Sequence, residues 1–147
     1  MKKENKINEI NNPIEFQKKY LTETNALFCP FCFDSSKDNK TSFLQVAPLE
    51  SIRNLHKQKS FGGVRRKFYT AVLLTSGTTK ETIGDRSYIF ERNTLYFIPE
   101  NQLHSIDSWD DDVKGYHCIF DAEYFLLCLK NQVKLSKYPF FQSDQVP

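Results

Sequence analysis

No stretch of this sequence is long and apolar enough to span a bilayer. The longest apolar run, Tyr124 to Leu129, falls far short of the roughly 20 residues a membrane helix needs. A secretory signal is missing too, because Met1-Lys2-Lys3-Glu4-Asn5-Lys6 carries charge with no apolar segment behind it. The two absences predict a cytoplasmic protein with no membrane partner. Charge of one sign is not in excess either: the 147 residues carry a net charge of +2. The chain as a whole is therefore no polycation built for nucleic acid, and its weak basicity bears on solubility. There is no internal repeat and no low-complexity tract.

Metal and redox motifs are incomplete. Cys29-Pro30-Phe31-Cys32 invites a redox or zinc reading. A thioredoxin-like site needs its first cysteine at the start of a helix that follows a strand. Here the pair runs into Phe33 to Lys40, a polar, loop-like stretch. A structural zinc needs a second ligand pair, and Cys118 and Cys128 supply no matching motif. All four cysteines are therefore read as reduced, small, largely apolar side chains. Asp107, Asp110, Asp111 and Asp112 crowd around Trp109. They have neither the spacing nor the glycine of a calcium loop, and are read as a solvated acidic loop.

What the sequence does have is β-prone aromatic character: 14% aromatic residues, with 13 Phe and 7 Tyr. That suits a β-rich chain, and the length suits one domain with a real core. The stretch from Arg92 to Ser105 organises the rest. Leu95-Tyr96-Phe97-Ile98 is a short continuous apolar run, which predicts a strand covered on both faces. Pro99 ends it, because proline cannot donate to the ladder. Glu100-Asn101-Gln102 makes a corner, and Leu103-His104-Ser105-Ile106 resumes the alternation of a half-buried strand.

Around this stretch the elements read in order. Residues 1–12 are polar and expected to be mobile. Asn12-Pro13 is a helix start, and Ile14, Phe16, Tyr20 and Leu21 give a short helix its apolar side. An arm follows, so residues 1–40 form an N-terminal helix and arm and residues 41–147 the body. Phe43 to Ala47 and Ile52 to His56 read as strands. Phe68 to Thr75 is the longest β-prone run, with Phe68, Thr70, Val72 and Leu74 on one side. Lys80–Ile83 and Ser87–Phe90 form a hairpin about Gly84-Asp85-Arg86. Val113 to Phe120 is the last strand, with Gly115, His117 and Ile119 facing one way. Asp121 caps a short helix over Ala122 to Lys130. Many short strands with regular turns predict an all-β barrel or sandwich enclosing a cavity for one small ligand.

The order of these motifs resembles a family. An apolar strand ends in Ser76-Gly77, and the hairpin at Gly84-Asp85 follows. Then come Asn93-Thr94-Leu95-Tyr96-Phe97-Ile98-Pro99-Glu100-Asn101-Gln102-Leu103-His104-Ser105, Gly115-Tyr116-His117-Cys118-Ile119-Phe120, a short helix and Pro139-Phe140-Phe141. The set, roughly Thr41 to Phe141, is similar to the N-terminal sensing domain of AraC-type transcription regulators, a cupin jelly roll. Arg92-Asn93 and Glu100-Asn101 stand where the family pattern has Pro-Gly. The resemblance implies an all-β cupin double-stranded β-helix, a jelly-roll barrel with an N-terminal helix or arm and a short C-terminal helix. It implies a small-molecule effector bound in the barrel, a possible homodimer, and DNA contacted only through a separate C-terminal half with two helix-turn-helix units. Nothing after Phe141 reads as a recognition helix, so the chain is expected to be the sensor portion. Tyr116-His117 matches a Tyr-His of a sugar-sensing member, which assigns His117 and Ile119 to the effector pocket. Ile119 stands where that member stacks a tryptophan on its sugar. His104 matches the family's corner histidine and is expected near the barrel mouth. No catalytic residue, metal ligand, cofactor or DNA-contacting residue is implied within this chain.

Other readings stay open. His117 also fits a neutral core residue, His104 a loop residue and His56 a surface side chain. The alternative function is a stand-alone metal-dependent cupin enzyme. Such enzymes set a His-x-His and a carboxylate on one strand and a further histidine on a later one. His104 would be the later ligand. The earlier strand reads Arg65-Arg66-Lys67-Phe68-Tyr69-Thr70, where three basic side chains repel a divalent cation. Direct nucleic-acid binding through Arg65-Arg66-Lys67 is the third reading; three such residues usually make a solvated edge, and no stacking motif accompanies them.

Overall fold

Strand pairing in this chain runs from the outside inward. The computed structural model describes residues 7–11, 15–16, 27–29, 44–55, 61–122, 137–139 and 142. Its elements are β1 (Asn8–Ile10), β2 (Leu27–Cys29), β3 (Leu44–Pro48), α1 (Leu49–Leu55), β4 (Phe61–Arg66), β5 (Tyr69–Ser76), β6 (Thr79–Ile83), β7 (Arg86–Phe90), β8 (Thr94–Ile98), β9 (Leu103–Trp109) and β10 (Lys114–Phe120). β3 pairs with β10, β4 with β9, β5 with β8 and β6 with β7, all antiparallel. The chain is one long hairpin bent at β6–β7 and rolled up. Rolling yields two sheets, β1-β4-β9-β6-β7 and β2-β3-β10-β5-β8. This is an all-β jelly roll of the cupin type.

The alternation of each strand fills the space between the sheets. Thr79, Glu81 and Ile83 of β6 are buried, while Lys80 between them is exposed. Thr70, Val72 and Leu74 of β5 point the same way, as do Gly115, His117 and Ile119 of β10. Opposite them stand Val64, Phe90 and Trp109. No helix among the described residues is long and apolar enough to cross a membrane.

Several expectations are corrected. β8 is not covered on both faces. It is an edge strand: Tyr96 and Ile98 point inward, Phe97 packs outward against a second cluster containing Tyr69 and Phe120, and Leu95 is 56% exposed. The expected strand at Ile52 is the helix α1. Leu49 and Ile52, three residues apart, bury one helical face, and Glu50 sits in the first turn, where a carboxylate suits the helix dipole. His56 lies outside the described residues. The polar start, expected to be mobile, contains β1, which pairs in parallel with β4 and buries Ile10. Of the expected N-terminal helix, Glu15 and Phe16 are described and helical, and Glu15 accepts a 2.9 Å hydrogen bond from the Asn11 N–H. The C-terminal helix beyond Ala122 and Cys32 and Cys128 lie outside the described residues. Cys118 is a free thiol whose pKa burial pushes up to about 11.

Asn93 (φ 66°) and Asn101 (φ 63°) hold the two turns where the family pattern has Pro-Gly. Both sit in the left-handed region, which asparagine tolerates better than other residues with a side chain. Their backbone N–H groups donate to Leu74 and Arg66 carbonyls, each at 2.7 Å. The acidic side chains stay exposed and tie the end of β9 to β6 and the turn before it: Asp110 accepts from the Thr78 N–H and Asp107 from Thr82 Oγ1.

Candidate functional site

Between the sheets lies a cavity with about 40 Å³ open to the centres of water molecules, walled by both sheets, α1 and Phe16. Its polar lining begins with Glu81. The β6 alternation that buries Thr79 and Ile83 also carries Glu81 inward, leaving it 2% exposed. A carboxylate in that position needs donors, and three converge on it. Tyr96 donates its hydroxyl to Oε1 at 2.6 Å, Thr79 donates to the same oxygen at 2.9 Å, and His104 Nε2 meets Oε2 at 2.7 Å. Burial alone would raise the Glu81 pKa. The bonds and charge of His104, then Tyr96 and Thr79, outweigh it and hold the carboxyl below its ordinary range. Burial and the Glu81 charge push the Tyr96 phenol well up. Burial, aided by Arg66 and opposed by Glu81, holds His104 below an ordinary imidazole. At neutral pH the cluster is thus a carboxylate held by a phenol, a hydroxyl and a neutral imidazole.

Facing it are two further groups. Arg66, in phase with the buried Val64 on β4, is nine-tenths buried and bonds Thr70 Oγ1 at 3.3 Å. His117 of β10 is 5% exposed, and its Nε2 finds no hydrogen-bond partner among the described residues. Burial, then Arg66 and His104, push its pKa well below 6.5, so it is neutral. Phe16 covers this corner. Its ring stacks on the His117 imidazole at 5.0 Å and 5°, meets Phe68 edge-on at 6.0 Å, and lies 5.3 Å from the Arg66 guanidinium.

His117 and His104 both line the cavity, and the structure brings them together. His104, expected near the barrel mouth, is 4% exposed and lines the cavity from β9. Ile119 faces inward one step further along β10, between Gln45 and Thr70, and is fully buried in the core beside the cavity lining. Arg66, read in the sequence as part of a solvated edge, is instead an interior cation. Glu81, Tyr96 and Phe16 were not singled out as site residues. The signal for Arg66 and Glu81 was their phase: each continues the inward alternation of its strand.

Among the described residues no three His, Cys, Asp or Glu side chains are grouped so that they would hold a metal. Glu81 and His104 adjoin but engage each other, and the β5 side chains that line the cavity are Val72 and Leu74, which offer no lone pair. The arrangement suits a small, largely apolar molecule that carries a group able to hydrogen-bond His117 Nε2.

No protein-family model and no curated protein matches this sequence. Solved structures similar to it include the cupin domain of Cnp3 from Schizosaccharomyces pombe, with 9% identity and a TM-score of 0.42 over 66% of this chain and 68% of that one. A cupin-2 domain protein from Shewanella frigidimarina has 11% identity and a TM-score of 0.37 over 54% of this chain and 69% of its own. The polyketide cyclase RemF from Streptomyces resistomycificus has 11% identity and a TM-score of 0.38 over 58% and 57%. The jelly-roll assignment therefore rests on the strand order described above.

Proposed function

We propose that this domain is the ligand-sensing part of an AraC-type transcription regulator in the cytoplasm. In this reading the barrel binds a small effector without transforming it and controls a DNA-binding half outside these 147 residues. The observation that carries the reading is the His117 Nε2 atom, buried in a cavity wall with its hydrogen-bonding capacity unspent. A buried polar atom without a partner costs about 1–3 kcal/mol, and a ligand that supplies the partner recovers that cost. The rest of the lining supports recognition, since three donors already engage Glu81 and most of the remaining wall is apolar. A metal-dependent enzyme remains the alternative, and the apolar β5 wall speaks against it. Effector binding would shift a balance between two arrangements of the N-terminal segment, with Phe16 in or out of the barrel.

The test uses the natural gene product that carries this domain, with the first compound from a metabolite screen that raises its melting temperature. The compound should change the affinity for operator DNA and be recovered chemically unchanged. Turnover of the compound, or DNA affinity indifferent to it, would contradict the proposal.

A further inference from the structure

The charges that line the cavity already balance. Glu81 is a buried carboxylate and Arg66 a buried guanidinium, and the protein engages both. Tyr96, Thr79 and His104 hold Glu81, while Arg66 bonds Thr70 and lies over the face of the Phe16 ring. His104 and His117 are neutral. An ionic ligand would carry a further charge into this enclosure, and a buried charge without its own partner is strongly unfavourable. The balance therefore selects an uncharged ligand.

The walls restrict it further. Ile52, Val64, Val72, Leu74, Ile106 and Val113 face the space. Such a lining offers no hydrogen bonds, so a polyol would strand most of its hydroxyls. The polar atom that stands open is His117 Nε2. It is the outer tip of a ring whose base sits at an inward-facing position of β10. It therefore points into the lumen in the plane of the imidazole, clear of Phe16, which stacks on the imidazole face. A hydroxyl satisfies this atom in either neutral tautomer, because it donates to a bare nitrogen and accepts from a protonated one. Size is the last restriction. About 40 Å³ is room for about three or four water-sized groups at roughly 10–15 Å³ each. An engineered cavity that accepts benzene is about 150 Å³, so an aromatic ring does not fit. A short hydrocarbon chain ending in a hydroxyl does.

We infer that the barrel takes an uncharged, short-chain aliphatic alcohol, its hydroxyl paired with His117 Nε2 and its hydrocarbon end against Val72 and Leu74 of β5, the strand beside β10. This inference rests on the sensing reading and names its ligand class.

The experiment titrates the full 147-residue chain with molecules built on one three-carbon skeleton: 1-propanol, propionate, 1-propylammonium and glycerol. Nuclear magnetic resonance follows the methyl groups of Val72 and Leu74 and the ring nitrogens of His117, a readout suited to the roughly millimolar affinity expected of so small a molecule. 1-Propanol should move the two sets of methyls and the His117 Nε2 resonance together, and should bind at least tenfold more tightly than each of the other three. 1-Hexanol should bind no more tightly than 1-propanol, whereas at an open apolar surface affinity would rise with each added methylene. His117→Leu should weaken 1-propanol about tenfold, the loss of one hydrogen bond. His117→Met serves in its place should the leucine variant fail to fold. Equal affinity for 1-propanol and propionate, tighter binding of 1-hexanol, undiminished 1-propanol affinity in the folded His117 variant, or no shift of the Val72 and Leu74 methyls with 1-propanol would each overturn the inference. Binding of propionate, 1-propylammonium or glycerol in the cavity with none of 1-propanol would overturn the alcohol assignment and leave the sensing reading standing. Failure of every compound in a broad metabolite screen would count against both.

Discussion

Glu81 carries the largest electrostatic burden in the barrel. It is a buried carboxylate whose two oxygens take three donors from β6, β8 and β9. Removing it strands the buried Tyr96 hydroxyl and His104 imidazole. Glu81→Ala should therefore cost about 2–6 kcal/mol, roughly 1–3 kcal/mol for each of the two stranded groups. Tyr96→Phe removes one bond to the charge and should cost about 1.5–3 kcal/mol. Urea unfolding of the two variants checks both values; a Glu81→Ala change below that of Tyr96→Phe would contradict the cluster. The histidines make a separate prediction. Their folded-state pKa values lie below the ordinary 6.5, so in acid the unfolded chain takes up protons that the folded chain refuses. Stability is then full above about pH 6.5 and falls as pH drops toward the folded values, by up to about 1.4 kcal/mol per pH unit for each histidine. Glu81, lowered from 4.5, adds a loss of the same sign at still lower pH. Urea midpoints followed from about pH 7 to pH 5 should decline, and His117→Phe should flatten the decline.

Among the elements, the turns and the bulge carry the clearest tests. Asn93 at φ 66° holds the entry to β8 in a conformation that costs most residues about 1–2 kcal/mol. Asn93→Gly should leave the melting temperature nearly unchanged, and Asn93→Ala should lower it. At Gly115, where β10 bulges against β5, an added Cβ would collide with the Leu73 carbonyl oxygen. Gly115→Ala should accordingly damage folding far more than Asn93→Ala. Elements whose signal is local were legible in the sequence: the β6–β7 hairpin, the phase of β5, and the inward trio of β10. α1 is illegible in Ile52 to His56 alone, because its helical signal is the three-residue spacing of Leu49 and Ile52. β8 was over-read because an apolar run does not reveal whether its strand lies at a sheet edge.

At the scale of the molecule, the site is made by rolling. Glu81 meets Tyr96 across 15 residues of sequence and His104 across 23. Phe16 reaches His117 from the far end of the chain. No local pattern announces such meetings, which is why Arg66 looked like a solvated edge in Arg65-Arg66-Lys67 while its side chain belongs to the interior. Histidine at 117 was legible because alternation on β10 points it into the lumen whatever the loops do. The central claim is that this lumen is a ligand site organised on His117. Its most direct test is the affinity of wild type and His117→Ala, matched for fold by circular dichroism, for the first compound that binds the domain. A loss of about tenfold, the equivalent of one buried hydrogen bond at about 1.4 kcal/mol, or more is the predicted result; a folded His117→Ala variant with undiminished affinity would contradict the account.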